Sequence, residues 1–137
     1  MSPLIPDTLT GAVVGAAIDV HRGLGPGLLE SVYDQCLAWE LRTRQIPFKR
    51  QVPVAVTYKD IQFGIGYRVD FLVADQLVVE LKAVEKTLPI HHAQVLTYLR
   101  LMGHHRALLI NFNAPRLVDG LKSFLHGPPP GPPRSTT

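Results

Sequence analysis

The 137 residues carry 14 Lys and Arg against 11 Asp and Glu, and 46% of them are apolar, enough for one real core and too few for two comfortable domains. No apolar run approaches the about 20 residues that span a bilayer, and MSPLIPD lacks the basic start and apolar core of a signal peptide, so no membrane is expected and the cytoplasm is the default. The single Cys36 excludes an internal disulfide, and the net charge of +3 permits a polyanionic partner without demanding one.

Asp7 or Thr8 can cap a first helix running to about His21, with Leu9, Val13, Ala16, Ala17 and Val20 at helical spacing. It ends in Arg22-Gly23-Leu24-Gly25-Pro26-Gly27, a sharp corner between helices rather than a phosphate loop, since GLGPG matches neither the P-loop nor the dinucleotide fingerprint. A second helix, about Gly27 to Arg44, gathers Leu28, Leu29, Val32, Tyr33, Cys36, Leu37 and Trp39 on one arc and sets Ser31, Asp34, Gln35 and Arg42 opposite. Cys36 on that arc reads as a small core residue. Glu30 falls at the margin of the arc beside Tyr33, an awkward place for a carboxylate, and Glu40 lies within it and reads as a structural acid.

Ile46 to Tyr58 reads as a strand, and Pro53 argues that it lies at an edge or carries a bulge. Lys49, Arg50 and Lys59 make a local basic cluster that is most simply a solvated one. Lys59-Asp60 is a turn, Ile61 to Gly64 begins the return, and Gly66 to Lys82, reading GYRVDFLVADQLVVELK, follows as two β-strands joined tightly.

Charge interrupts these two strands at telling places. Asp70 sits between Val69 and Phe71, and Glu80 and Lys82, two residues apart, leave one face of the second strand. An acid pair beside a lysine is a ready site for a divalent cation, because buried carboxylates require a partner. Register tests this. Asp70 faces Glu80 only if the turn is the three residues Ala74-Asp75-Gln76 or a bulge intervenes, whereas a two-residue turn would set Asp70 against Leu81. The competing reading is structural: cross-strand ion pairs in which Asp70 and Glu80 compensate Arg68 and Lys82.

Thr87 can cap a helix from about Pro89 to Met102, closed by Gly103, on which Gln94 and Tyr98 point the same way. His91 and His92 point about 100° apart, with no Cys or third nearby histidine, so zinc is not expected. Arg106 to Asn113 is a buried strand that completes a βαβ unit with parallel strands, Leu117 to Leu125 is read as a last helix, and the Pro-rich 127–137 as a disordered tail behind a single domain over 1–126.

The order of elements, with Asp70, Glu80-Leu81-Lys82, Gln94 and Tyr98 in sequence, resembles the PD-(D/E)XK nuclease superfamily. Gly27-Leu28-Leu29-Glu30-Ser31-Val32-Tyr33 resembles the motif of its GxxExxY branch at every fixed position, and the likeness covers about residues 8 to 125. The proline of the superfamily's name is replaced by Val69. The resemblance implies an α/β restriction-endonuclease-like core, a central mixed sheet flanked by helices with the site where two middle strands diverge. It implies that Asp70, Glu80, Glu30 and the Leu81 carbonyl bind Mg²⁺ or Mn²⁺, and that Lys82 orients the attacking water. Gln94 and Tyr98 would support the site, and Tyr33, Arg68, Gln94 and Tyr98 would contact substrate. The expected activity is phosphodiester hydrolysis in nucleic acid, DNA more readily than RNA, with a homodimer compatible; the alternative is a catalytically silent nucleic-acid-binding or assembly module on the same fold.

Overall fold

A computed structural model describes residues 6–64 and 66–128. Helix α1, Pro6–Leu24, starts with the proline, whose fixed φ suits a first helical turn, so the backbone of Asp7 and Thr8 lies inside the helix. Its spacing delivers what it promised: Leu9, Val13, Ala16, Ala17 and Val20 are all buried. The corner follows. Gly25 and Gly27 take φ of 72° and 101°, a conformation open to glycine at little cost.

Helix α2, Glu30–Thr43, is rotated from the arc expected of it. It buries Tyr33, Asp34, Leu37, Ala38 and Leu41, while Leu29 and Trp39 are 74% and 59% exposed. The rotation is tolerable because Asp34 meets the guanidinium of Arg50 as it enters the interior, so the helix can turn a carboxylate inward and leave the indole outside. Glu40 is a structural acid as expected, 3.3 Å from Arg44.

Five strands form a mixed sheet in the spatial order Phe48–Pro53, Arg68–Val73, Leu77–Lys82, Arg106–Asn111 and Leu121–Leu125, which are β1, β4, β5, β6 and β7. Strand β1, Phe48–Pro53, is at the edge, where Pro53 needs no ladder partner on its outer side. The single strand expected as far as Tyr58 is broken at Val54-Ala55. Buried Val54 donates its N–H to the Tyr67 carbonyl, and β2, Val56–Tyr58, pairs instead with β3, Ile61–Phe63, as a separate ribbon. Strands β4, Arg68–Val73, and β5, Leu77–Lys82, are antiparallel with Val73 opposite Leu77, so the turn is the three residues Ala74-Asp75-Gln76.

Helix α3, Pro89–Met102, leads from β5 to β6, Arg106–Asn111, which runs parallel to β5 as expected. Its N-cap is Leu88 rather than Thr87: the Leu88 N–H donates to Nδ1 of His91 at 3.0 Å, while the Thr87 hydroxyl lies 3.2 Å from His92. The expected last helix is absent. Leu117–Gly120 is a single 3-10 turn, and Leu121–Leu125 is β7, antiparallel to β6. Leu117, Leu121 and Leu125 mimic helical spacing, but the open hydrogen-bonding edge of β6 captures the segment, and Gly120 lets it pass so close that a Cβ there would sit 2.3 Å from the Asn111 carbonyl oxygen.

Two apolar layers result. One joins α1 and α2 to Phe71, Val73, Leu77, Val79 and Leu81, and the other joins α3 to Val69, Leu72, Val78 and Phe124. No helix of the described residues is long and apolar enough to cross a membrane. Of the Pro-rich tail, 129–137 lie outside the described residues.

Candidate active site

The ladder between β4 and β5 ends at the pair Phe71 and Val79. Beyond it the two strands are joined through side chains: the Asp70 N–H donates to Oε1 of Glu80 at 2.7 Å, and the Leu81 N–H donates to Oδ2 of Asp70 at 2.8 Å. Each carboxylate thus takes a main-chain proton from the opposite strand. Those amides are the partners found, rather than Arg68 and Lys82 as the ion-pair reading expected. This is possible because the odd-length turn sets 70 against 80, and because two residues of that turn, Ala74 and Asp75, adopt φ of 51° and 54°.

Electrostatics mark the opening as a place where negative charge is crowded. Burial, then repulsion from Asp70, pushes the Glu80 carboxyl up to about 8, against the relief of the Asp70 amide and of Lys82. Burial likewise raises Asp70, with the Leu81 amide, Gln51 and Lys82 acting in the other direction and Asp34 adding to the rise. Glu30 opens α2 at an exposed position, yet partial desolvation and then Asp70 hold its carboxyl above the ordinary range as well. Lys82 is the cation common to all three acids.

The remaining expected residues distribute around this opening. Tyr98, half-buried on α3, packs its ring 5.9 Å from that of Tyr67, and desolvation and the Glu80 charge raise its hydroxyl. Gln94 is exposed one turn earlier on α3, and Arg68 is exposed opposite Pro53. Leu81 is buried, its N–H already committed to Asp70. Tyr33 is the correction. It is wholly buried, stacks on Phe112 at 4.6 Å, donates its hydroxyl proton to the Gly25 carbonyl at 2.6 Å and accepts the Leu28 N–H at 3.1 Å. A phenol with both bonds spent on the corner cannot touch substrate; it fixes the start of the helix that carries Glu30.

Sequence reading missed four neighbours. Asp34, Arg50 and Gln51 line a cleft of about 270 Å³ with Glu30, Ser31 and Asp70, and His91 lies near enough to Lys82 for its pKa to be lowered, after desolvation, by that charge. Asp34 is buried and paired to Arg50, sixteen residues on, whose guanidinium covers the Phe71 ring at 5.9 Å. Only β1 packing on β4 brings these together, and no local pattern announces it. Asn111, also unforeseen, is buried and clasps Val84: its Nδ2 donates to the Val84 carbonyl at 2.9 Å and its Oδ1 accepts the Val84 N–H at 3.1 Å. Together with the bond from the Phe112 N–H to the Lys82 carbonyl, this anchors the end of β5 to β6.

Among the described residues, no three His, Cys, Asp or Glu side chains converge tightly enough to enclose an ion. The donor chemistry at the opening is nonetheless of one kind, carboxylate oxygens with mutually raised pKa values, which suits a hard divalent cation and not a soft one. No curated protein and no solved structure matches the chain. A family model described as the PD-(D/E)XK nuclease superfamily matches residues 7–124, from the second residue of α1 to the last but one of β7. The mixed sheet with helices on both faces is the restriction-endonuclease-like α/β fold, and the chain belongs to the PD-(D/E)XK nuclease superfamily.

Proposed function

We propose that this chain is a Mg²⁺- or Mn²⁺-dependent nuclease of the GxxExxY branch that hydrolyses phosphodiester bonds in DNA. The observation that carries the reading is the interlock of Asp70 and Glu80 across the end of the β4–β5 ladder, with Lys82 beyond them. A pure binding module has no need of carboxylates held against desolvation where they repel phosphate. Asp70 and Glu80 would hold the cation, joined by Glu30 and the Leu81 carbonyl. When bound, it supplies positive charge to a phosphoryl oxygen and lowers the pKa of a coordinated water.

The chain's own groups do the rest. Lys82, charged among three acids, orients the attacking water and stabilises negative charge as it builds on the phosphate oxygens. Tyr98 stands near enough to Glu80 to feel its charge, and Gln94, exposed one turn away, offers an amide to the nucleic-acid backbone, as Arg68 offers its guanidinium. The net charge of +3 gives modest affinity for a duplex, and with few phosphates neutralised the loss of binding with salt should be shallow.

Calorimetry with Mn²⁺, alone and with a DNA duplex, tests the site: the wild type should bind, and Asp70→Ala and Glu80→Ala should not. Lys82→Ala should lose about 10²- to 10³-fold in cleavage while keeping DNA binding. A Lys82→Ala protein as active as the wild type would overturn the assignment. Cation-free DNA binding in the wild type would favour the silent module, and preferential cleavage of an RNA strand would move the substrate to RNA.

A further inference from the structure

Midway along β1, Gln51 adopts φ of 51°, a left-handed conformation that a side chain other than glycine rarely takes, least of all inside a strand. The residues on either side pair normally with β4, Arg50 with Phe71 and Val52 with Val69, so Gln51 and Asp70 stand opposite each other in step but outside the ladder. Both strands exchange faces there. Residues two apart in a strand share a face, yet Phe71 packs under α1 and α2 while Val69 packs under α3. Across from them, Arg50 covers the Phe71 ring while Val52 packs with Val69's layer. Gln51 lines one cleft with Asp70, Glu30 and Asp34, and its carboxamide acts to lower the Asp70 pKa.

We propose that Gln51 is a positioning residue for Asp70, its left-handed backbone retained because it aims a neutral hydrogen-bond donor at the carboxylate that would hold the cation. This rests on the metal-dependent reading of the site. A carboxamide is the fitting chemistry. It fixes one carboxylate oxygen and leaves the negative charge intact for a cation, where a lysine or arginine would neutralise it. Strained backbone of this kind persists where the surroundings over-determine it and recurs at functional positions.

Gln51→Gly separates the backbone from the amide, since glycine accepts the φ freely and brings no donor. Its melting temperature should equal or exceed that of the wild type, while Mn²⁺ affinity measured by calorimetry should fall about tenfold or more. Gln51→Asn, which tolerates the left-handed backbone but is one methylene shorter, should also melt normally and bind weakly, and it serves the same purpose if the glycine variant does not fold. Mn²⁺ affinity within twofold of the wild type in either folded variant overturns the proposal alone. A wild type that binds no Mn²⁺ with or without DNA overturns the nuclease reading and this inference with it.

Discussion

The two ends of the β4–β5 pair lie on the same two strands and do opposite things. At the closed end Val73 and Leu77 pair across a tight turn, wholly within the apolar layer under α1 and α2. At the open end main-chain pairing stops, and carboxylates take over the task of holding the strands. The closed end contributes stability through burial. The open end gives up ladder bonds and gathers repelling acids, a local cost that a single-purpose structural hairpin would not carry.

Adjacent residues give the sharpest way to break this contrast. Phe71→Ala removes a fully buried ring and should lower unfolding free energy in urea by about 3–5 kcal/mol. One residue earlier, Asp70→Asn should abolish cleavage while leaving the melting temperature at or above that of the wild type, because it removes an acid crowded by Glu30 and Glu80. A large loss of stability in Asp70→Asn would make the open end structural after all.

The second contrast is in pH. Glu80 moves from 4.5 to about 8 on folding, so the folded chain binds more protons than the unfolded one between those values. Stability therefore declines as pH rises through that window and levels off above it, by an amount on the order of a few kcal/mol at most. Thermal melts of the metal-free protein from pH 5 to 8.5 should show this fall, and Glu80→Gln should flatten it. A parallel slope in the variant would assign the effect elsewhere.

The smallest effect lies at the turn. Asp75 holds φ of 54° and makes an exposed ion pair with Lys49 at 3.5 Å. Asp75→Gly should raise stability by up to about 1 kcal/mol with cleavage unchanged. A drop in activity would show that the two ends are mechanically coupled.

How far these features were legible depends on what each residue needs for its neighbours. Helix α1 packs one face on one layer, and its five buried positions follow from spacing alone. The open end was legible for a similar reason, since the parity of a three-residue turn decides which side chains meet. Asp34 and Trp39 exchanged the environments expected of them because the orientation of α2 is decided by Arg50, which periodicity within the helix cannot know. Leu117 to Leu125 misled because a vacant strand edge outweighs helical spacing, and Gln51 was invisible because its message lies in a backbone angle. The site's acids and lysine announce themselves as charge among apolar neighbours; the groups that hold them in place do not.

The clasp of Asn111 on Val84 has a consequence for how the chain is made. The segment after Lys82 is held by a residue synthesised 27 positions later than Val84. A nascent chain that has emerged only as far as α3 already contains every acid of the opening, yet lacks the strand that frames it. The frame of the opening is thus complete only once β6 has been made, and a chain cut short before it carries the acids without the strand that holds them.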